Sequence, residues 1–280
     1  MFTLNCKGRL LVIDQPVVMG IINTTPDSFF AGSRRSSVDL ALQTAASMLE
    51  DGAAILDIGG QSTRPGSGIV TVEEELDRTI DVIAAIHRHF PDAVLSVDTY
   101  YARVAKEAVQ AGASIVNDIS AGVLDTEMID TVAALRVPYV LMHMQGNPQT
   151  MQQSPAYENV TREVLDFFIQ KIAALEKKGI RDIIVDPGFG FGKTHAHNFE
   201  LLHHLASLNI LDKPLLAGLS RKGTIYRTLN TTAEHALNGT TVLNTIALMN
   251  GAKILRVHDV KAAVEAVTLV EQVGKGFGRF

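Results

Sequence analysis

Eight short, nearly continuous hydrophobic runs, each followed by a longer stretch whose apolar residues recur every three or four positions, limit the fold of this chain more than any other feature. They are VVMGII (17–22), AAILDI (53–58), AVLSVD (93–98), ASIVND (113–118), PYVLMH (138–143), DIIVD (182–186), PLLAGL (214–219) and KILRVH (253–258). Strands apolar on both faces must be covered on both faces, as in parallel sheets flanked by helices. The helices between them have readable ends. Thr71 with Glu74 three residues on forms a capping box, Leu76, Ile80, Ile83 and Ile86 make the buried stripe, and Pro91 stops it. The segment from Glu158 ends in Lys177, Lys178 and Gly179, while Gly52 and Gly112 close two others. Asp259 is the expected N-cap of a last helix with Val260, Val264, Val267 and Val270 on one stripe.

Eight β-then-α units with no Pro/Ser-rich linker predict an α/β fold: one (β/α)8 TIM barrel over 1–280, since such barrels reach ~250 residues as one domain. A doubly wound open sheet is the alternative. Residues 1–13 alternate weakly around Lys7-Gly8 and are expected to form an accessory β-hairpin at the barrel floor, and 274–280 a loose tail.

Composition narrows the function. Thirty acidic against twenty-five basic residues, with no Lys/Arg stripe, argues against a nucleic-acid surface. The one cysteine, Cys6, makes no intrachain disulfide, and the N-terminus lacks a signal-peptide core, so a reducing cytoplasm is expected. The longest uncharged run, 236–252, is interrupted by Asn238, Asn244 and Asn250 and falls short of the ~20 residues of a membrane span. It is expected to be a buried helix, and no membrane partner is expected.

In a barrel of this kind the site lies at the C-terminal ends of the strands. Those ends read Asn23, Asp57, Asp98, Asn117-Asp118, His143, Asp186, Ser220-Arg221-Lys222, and Arg256 with His258. One Asp at a strand end is often a cap, and that reading is kept for Asp118 and Asp259; the coincidence of so many is not a capping effect. Several carboxylates in one mouth require a positive or donor-rich ligand. A divalent metal fits, and so does a heterocycle with adjacent N–H donors. Arg221, Lys222, Arg256 and His258 follow the last two strands, where barrels commonly hold phosphate, so an anionic substrate group is expected against a separate cation cluster. Arg64, in GGQSTRPGSG, adds a cation on a loop rich in free N–H groups. The pairs His195/His197, His203/His204 and His87/His89 lack partners at metal-ligand spacing. DPGFGFGK does not match a phosphate-binding P-loop, and its Phe189 and Phe191 are expected to wall a flat ligand.

The ordered motifs GIINTTPDSF, DIGGQSTRPG, SVDT, IVNDI, LMHMQGNP, DPGFGFGK, GLSRK and RVHD, spread over about residues 17 to 260, resemble the motif set of the dihydropteroate synthase family. The resemblance implies a transferase that joins 6-hydroxymethyl-7,8-dihydropterin diphosphate to p-aminobenzoate in folate synthesis, assisted by Mg²⁺ and usually homodimeric. It implies that Asp98, Asn117, Asp186 and Lys222 hold the pterin, with Met142 and Gly218 lining the slot and Asp57 among the substrate-binding residues. The diphosphate would meet Thr63, Arg64, Arg256 and His258, and Asn23 would also bind Mg²⁺. The aminobenzoate pocket would draw on Phe29, Thr63, Pro65, Phe191 and Lys222. The catalytic set implied is Asp98, Asn117, Asp186, Lys222 and Arg256.

Three positions depart from the family pattern. Phe30-Ala31-Gly32-Ser33 stands where Ser-Asp-Gly-Gly is usual, Gly223 replaces a serine after SRK, and Gln61 stands where Glu is common. The alternatives to the synthase are a pterin-dependent methyltransferase, which has no need of the SRK and RVHD cations, and a catalytically silent pterin-binding barrel.

Overall fold

The computed structural model describes residues 1–25, 34–61 and 70–277. At the N-terminus β1 (Phe2–Cys6) and β2 (Arg9–Ile13) pair antiparallel. Lys7 and Gly8, at φ 55° and 89°, make the two-residue turn, the positive-φ pair that matches strand twist in a tight hairpin. Eight parallel strands follow: β3 (Val17–Asn23), β4 (Ile55–Gly59), β5 (Val94–Asp98), β6 (Ile115–Asp118), β7 (Tyr139–Met142), β8 (Ile183–Asp186), β9 (Leu216–Ala217) and β10 (Ile254–Val257). Their order is β8-β7-β6-β5-β4-β3-β10-β9, and a parallel bridge between Val185 and Leu215 joins β8 to β9. The sheet is a nearly closed barrel, so the open-sheet alternative falls away.

The helices α1 (Arg34–Glu50), α2 (Val72–His89), α3 (Ala102–Ala111), α4 (Met128–Leu135), α5 (Val160–Lys177), α6 (His195–His203), α7 (Gly223–Thr228), α8 (Leu237–Met249) and α9 (Val260–Phe277) ring it, with a 3-10 helix at Leu205–Leu211. Helix α2 starts on the expected capping box, with Glu73 and Glu74 in its first turn and Arg88 in its last, each sign at the favourable end of the helix dipole. Helix α5 starts at Asn159, whose side chain accepts from the Arg162 N–H. Gly112 ends α3 at φ 132°, and a Cβ there would lie 2.4 Å from the His87 ring, so the glycine serves both the turn and the α2–α3 contact.

Two cores follow from the strand pleat. Outward side chains such as Leu56, Leu95, Val116 and Leu141 pack against the helices. Inward ones make a floor of Met19, Ile55, Val94, Ile115, Val140, Ile184, Leu216 and Ile254, which the hairpin covers with Leu4, Cys6 and Ile13. Burying the leucine and the isoleucine contributes about 1.5–3 kcal/mol each, so the hairpin is a plug, as expected.

Two expectations are corrected. The 274–280 tail is not loose as far as it is described: α9 continues to Phe277, because a helix tolerates Gly274 and Gly276 when it is already propagating. Helix α8 is not fully buried. It turns Gly239, Thr240, Asn244 and Ala247 inward and leaves Val242 50% and Met249 53% exposed, so the absence of charge reflects a small-residue inner face with an apolar outer one.

Candidate active site

A strand's side chains alternate with period two, so the residue two positions past each floor residue points into the same lumen. That step brings polar side chains into the layer at Asp57, Ser96, Asn117, Asp186 and Arg256, beside Ile21, Met142 and Gly218. One step further stand Asn23, Gly59, Asp98, Ser220 and His258. The polar mouth therefore rests on a dry floor.

Arg256 is the hub. Its Nε donates to Asp57 Oδ2 at 2.6 Å and its Nη2 to Asp98 Oδ2 at 2.5 Å. The Asn117 amide donates to the same Asp57 oxygen at 3.0 Å. Asp57 is fully buried, yet its Oδ1, like Ser96 Oγ, has no hydrogen-bond partner among the described residues, which is the condition of a site built to receive a polar guest. Across the mouth Asp186 Oδ1 accepts from the Gly188 N–H at 2.8 Å. Lys222 Nζ donates to the Phe189 carbonyl at 2.5 Å and lies 4.6 Å from the centre of the Phe191 ring. A Cβ on Gly218 would lie 3.7 Å from Lys222 Nζ and 3.9 Å from Asp186 Oδ2, so the glycine keeps the space between them open. Met142 and Phe191 share an apolar cluster with Tyr100, Ile119 and Met151.

The electrostatics follow from burying several charges together. Burial lifts Asp98 to about 7; Arg256 opposes the shift, and Asp57, Asp118 and Asp186 reinforce it. Burial likewise raises Asp186 against the pull of Lys222. Lys222 is pushed down to about 8 by burial, with Asp186 opposing. Burial disfavours the Arg256 charge too, but Asp57 and Asp98 outweigh it and raise its pKa. The mouth holds a carboxylate and an amine that both change charge near neutrality, an arrangement characteristic of working sites.

A family model described as a pterin binding enzyme matches residues 19–258. The chain is 45% identical to the dihydropteroate synthase of Escherichia coli over 267 residues, covering 95% of this chain and 94% of that one. The chain belongs to the dihydropteroate synthase family. Two solved structures of family members superpose closely. The Yersinia pestis dihydropteroate synthase with a sulfonamide drug complex gives a TM-score of 0.92 at 43% identity, covering 98% of this chain and all of that one. The Xanthomonas albilineans dihydropteroate synthase with 4-aminobenzoic acid gives 0.90 at 44% identity, covering 97% of each. Membership makes the chain a transferase.

Against this family background, the structure brings Asp57, Asp98, Asn117, Asp186, Lys222, Gly218, Met142, Phe191 and Arg256 into one mouth, with Asn23 and His258 at its rim. Phe29, Thr63, Arg64 and Pro65 lie outside the described residues, as does the Phe30–Ser33 departure. The separate cation cluster is corrected. Arg256 lies among the acids, because its long side chain reaches from β10 past β3 to the ends of β4 and β5. Arg221 faces elsewhere: it forks onto Asp259 with two contacts of 2.8 Å and donates to the carbonyls of Ala233 and Glu234. Asp259 nonetheless stands at the start of α9, where its carbonyl accepts from the Ala263 N–H. His258 Nδ1 lies 2.9 Å from Ser220 Oγ. Asp118 is structural, accepting from the Ser120 and Gly122 N–H groups and the Tyr139 hydroxyl, each at 2.7 Å. Phe189 is corrected as well, since it packs into the strand–helix core and only its carbonyl serves the site.

Two features escaped sequence reasoning. Lys193 is buried against His143. Glu75 is fully buried beside Gly60, and burial lifts it to about 7. Gln61 donates to the Tyr100 hydroxyl at 2.5 Å, which gives the third departure a contact.

Proposed function

We propose that this chain condenses 6-hydroxymethyl-7,8-dihydropterin diphosphate with p-aminobenzoate, releasing diphosphate and forming 7,8-dihydropteroate. The observation that carries the reading is the convergence of Asp98, Asn117, Asp186, Lys222 and Arg256 on one buried mouth above an apolar floor. Asp186 and Asp98 are acceptors suited to adjacent ring N–H groups, Asn117 both donates and accepts, and Met142 offers an apolar face to a flat ring. The ring takes Asp98 from Arg256, whose freed Nη2 then meets the diphosphate together with His258 and Arg64. The bond from the pterin methylene to the diphosphate oxygen breaks with its electron pair going to oxygen. The cation left on the methylene spreads into the ring between Asp98 and Asp186, whose negative charge stabilises it as it forms. The aminobenzoate nitrogen, held beside Phe191 and Lys222, attacks that carbon, and the ammonium so formed gives its proton to solvent water. An arylamine needs position more than a strong base.

The donor set fits Mg²⁺ of the kind that keeps its waters and phosphate oxygens. No cluster of three His, Cys, Asp or Glu stands among the described residues to form a protein cage, whereas Asn23, the last residue of β3, would offer one amide oxygen. When bound, the ion would neutralise charge on the leaving diphosphate. A homodimer belongs to the same proposal, supported by the exposed apolar face of Val242, Ile246 and Met249 on α8. So does a cytoplasmic setting, supported by the lone buried Cys6 thiol; among the described residues no helix is long and apolar enough to cross a membrane.

The direct test is purified protein with both substrates and Mg²⁺. Diphosphate release should require pterin diphosphate and p-aminobenzoate together; pterin binding without release would favour the silent barrel.

Two finer outcomes follow. Asp98 is raised from 3.8 to about 7 in the folded chain, so its carboxylate is present above that pH and lost as pH falls through it. Affinity for the pterin alcohol, measured by calorimetry, should fall roughly twentyfold from pH 7.5 to 5.5 by single-proton linkage. A flat profile removes Asp98 from the ring's edge. At Gly223, the first residue of α7, an added Cβ meets nothing nearer than the Tyr226 hydroxyl at 3.5 Å. Gly223→Ser should therefore fold normally and, by restoring one hydroxyl, lower the aminobenzoate KM and sulfonamide Ki by about two- to tenfold. Unchanged constants dismiss a role for that hydroxyl.

A further inference from the structure

Behind the mouth, at the end of the segment that carries Phe191, lies a lysine that is only 1% exposed. Lys193 Nζ is 2.9 Å from His143 Nδ1 and 3.1 Å from each of the Gly188 and Phe191 carbonyls, with the His143 carbonyl at 3.4 Å. We propose that Lys193 is a positioning residue: its ammonium fastens the segment 187–193 after β8 to the end of β7, and thereby sets Phe191 against Lys222 for the arylamine substrate.

An ammonium has three N–H donors and no acceptor. The two 3.1 Å carbonyls and one imidazole lone pair match them when the His143 ring proton sits on Nε2. The neutral ring is what its surroundings favour, since burial, aided by the Lys193 charge, drives the imidazole down to about 3. Burial also lowers Lys193, to about 7, with Asp186 opposing; the Gly188 carbonyl accepts from the Phe191 N–H as well, and Lys193 Nζ is the donor that ties both carbonyls to His143.

The segment needs such a fastening. Gly188, Gly190 and Gly192 all sit at positive φ, so its backbone has little preference of its own and much freedom to lose. Its path is also tight: a Cβ on Gly188 would lie 2.0 Å from the His143 carbonyl oxygen, and one on Gly192 2.4 Å from that of Gln145. The side that faces the mouth carries the Phe191 ring under Lys222 Nζ and the Phe189 carbonyl that accepts from it. Releasing the carbonyl of Phe191 from Lys193 frees the ring on the same residue.

The inference rests on the reading of Phe191 as part of the aminobenzoate pocket. Steady-state kinetics of Lys193→Met should show the KM for p-aminobenzoate raised about tenfold, the low end of what a small loss of apolar pocket contact costs, with kcat and pterin diphosphate affinity within about threefold of wild type. Unchanged KM, or equal losses on both substrates, overturns it. Should the methionine variant fail to fold, His143→Gln, which keeps an acceptor for the ammonium, and His143→Leu, which removes it, decide the matter. Glutamine should hold the wild-type KM and leucine should raise it; equal values overturn the proposal. A wild-type protein with no turnover removes the functional reading and this inference with it, whereas active wild type with indifferent variants removes this inference alone.

Discussion

Arg256→Ala should lower turnover by about 10²-fold or more, the loss typical of one preorganised charge partner at a centre where charge develops. Arg256 is the cation between Asp57 and Asp98, and the cation that the diphosphate would meet as it departs. Alanine removes both functions. It also leaves the fully buried Asp57 and the nearly buried Asp98 facing each other without a counter-charge, a situation that costs about 3–5 kcal/mol when one partner of a buried pair is deleted. The measurement is kcat at saturating substrates beside a thermal melt. A lowered Tm with unchanged kcat would make Arg256 purely structural; an unchanged kcat and Tm would contradict both parts.

Asp186→Asn should weaken pterin binding by about 10²-fold, since hydrogen bonds to a charged acceptor are worth about 1.5–3 kcal/mol each and a carboxylate accepts two in parallel. The fold should survive, because an amide oxygen still accepts from the Gly188 N–H. Lys222 would lose the charge that opposes its desolvation, and its amine would titrate lower still. Calorimetry with the pterin alcohol reads the effect without catalysis. Wild-type affinity in the variant would place the ring away from β8.

The barrel was readable because strands buried on both faces stay apolar until, from mid-strand onward, they line the mouth, as at Asp57, Ser96 and Asp98. AAILDI and AVLSVD announce both the strand and the site in six residues. The hairpin floor was readable from the weak alternation around Lys7-Gly8. Contacts between distant elements were not. Chain order sets Arg256 beside His258 and Arg221, yet barrel closure sends Arg256 to the acids of β4 and β5, while Arg221 turns to Asp259. Lys193 looked like the end of a failed phosphate loop because its ligands are backbone carbonyls, which every residue carries and no sequence distinguishes. Helix α8 was judged by its lack of charge, which cannot separate a residue facing the core from one facing outward.

The most direct measurement is a crystal structure of this chain with the pterin diphosphate bound. The ring should lie against Asp98, Asn117, Asp186 and Lys222, with Arg256 turned from Asp98 toward the diphosphate. A ring seated elsewhere, or an Arg256 still forked between Asp57 and Asp98 with the diphosphate out of its reach, would contradict the shared mouth.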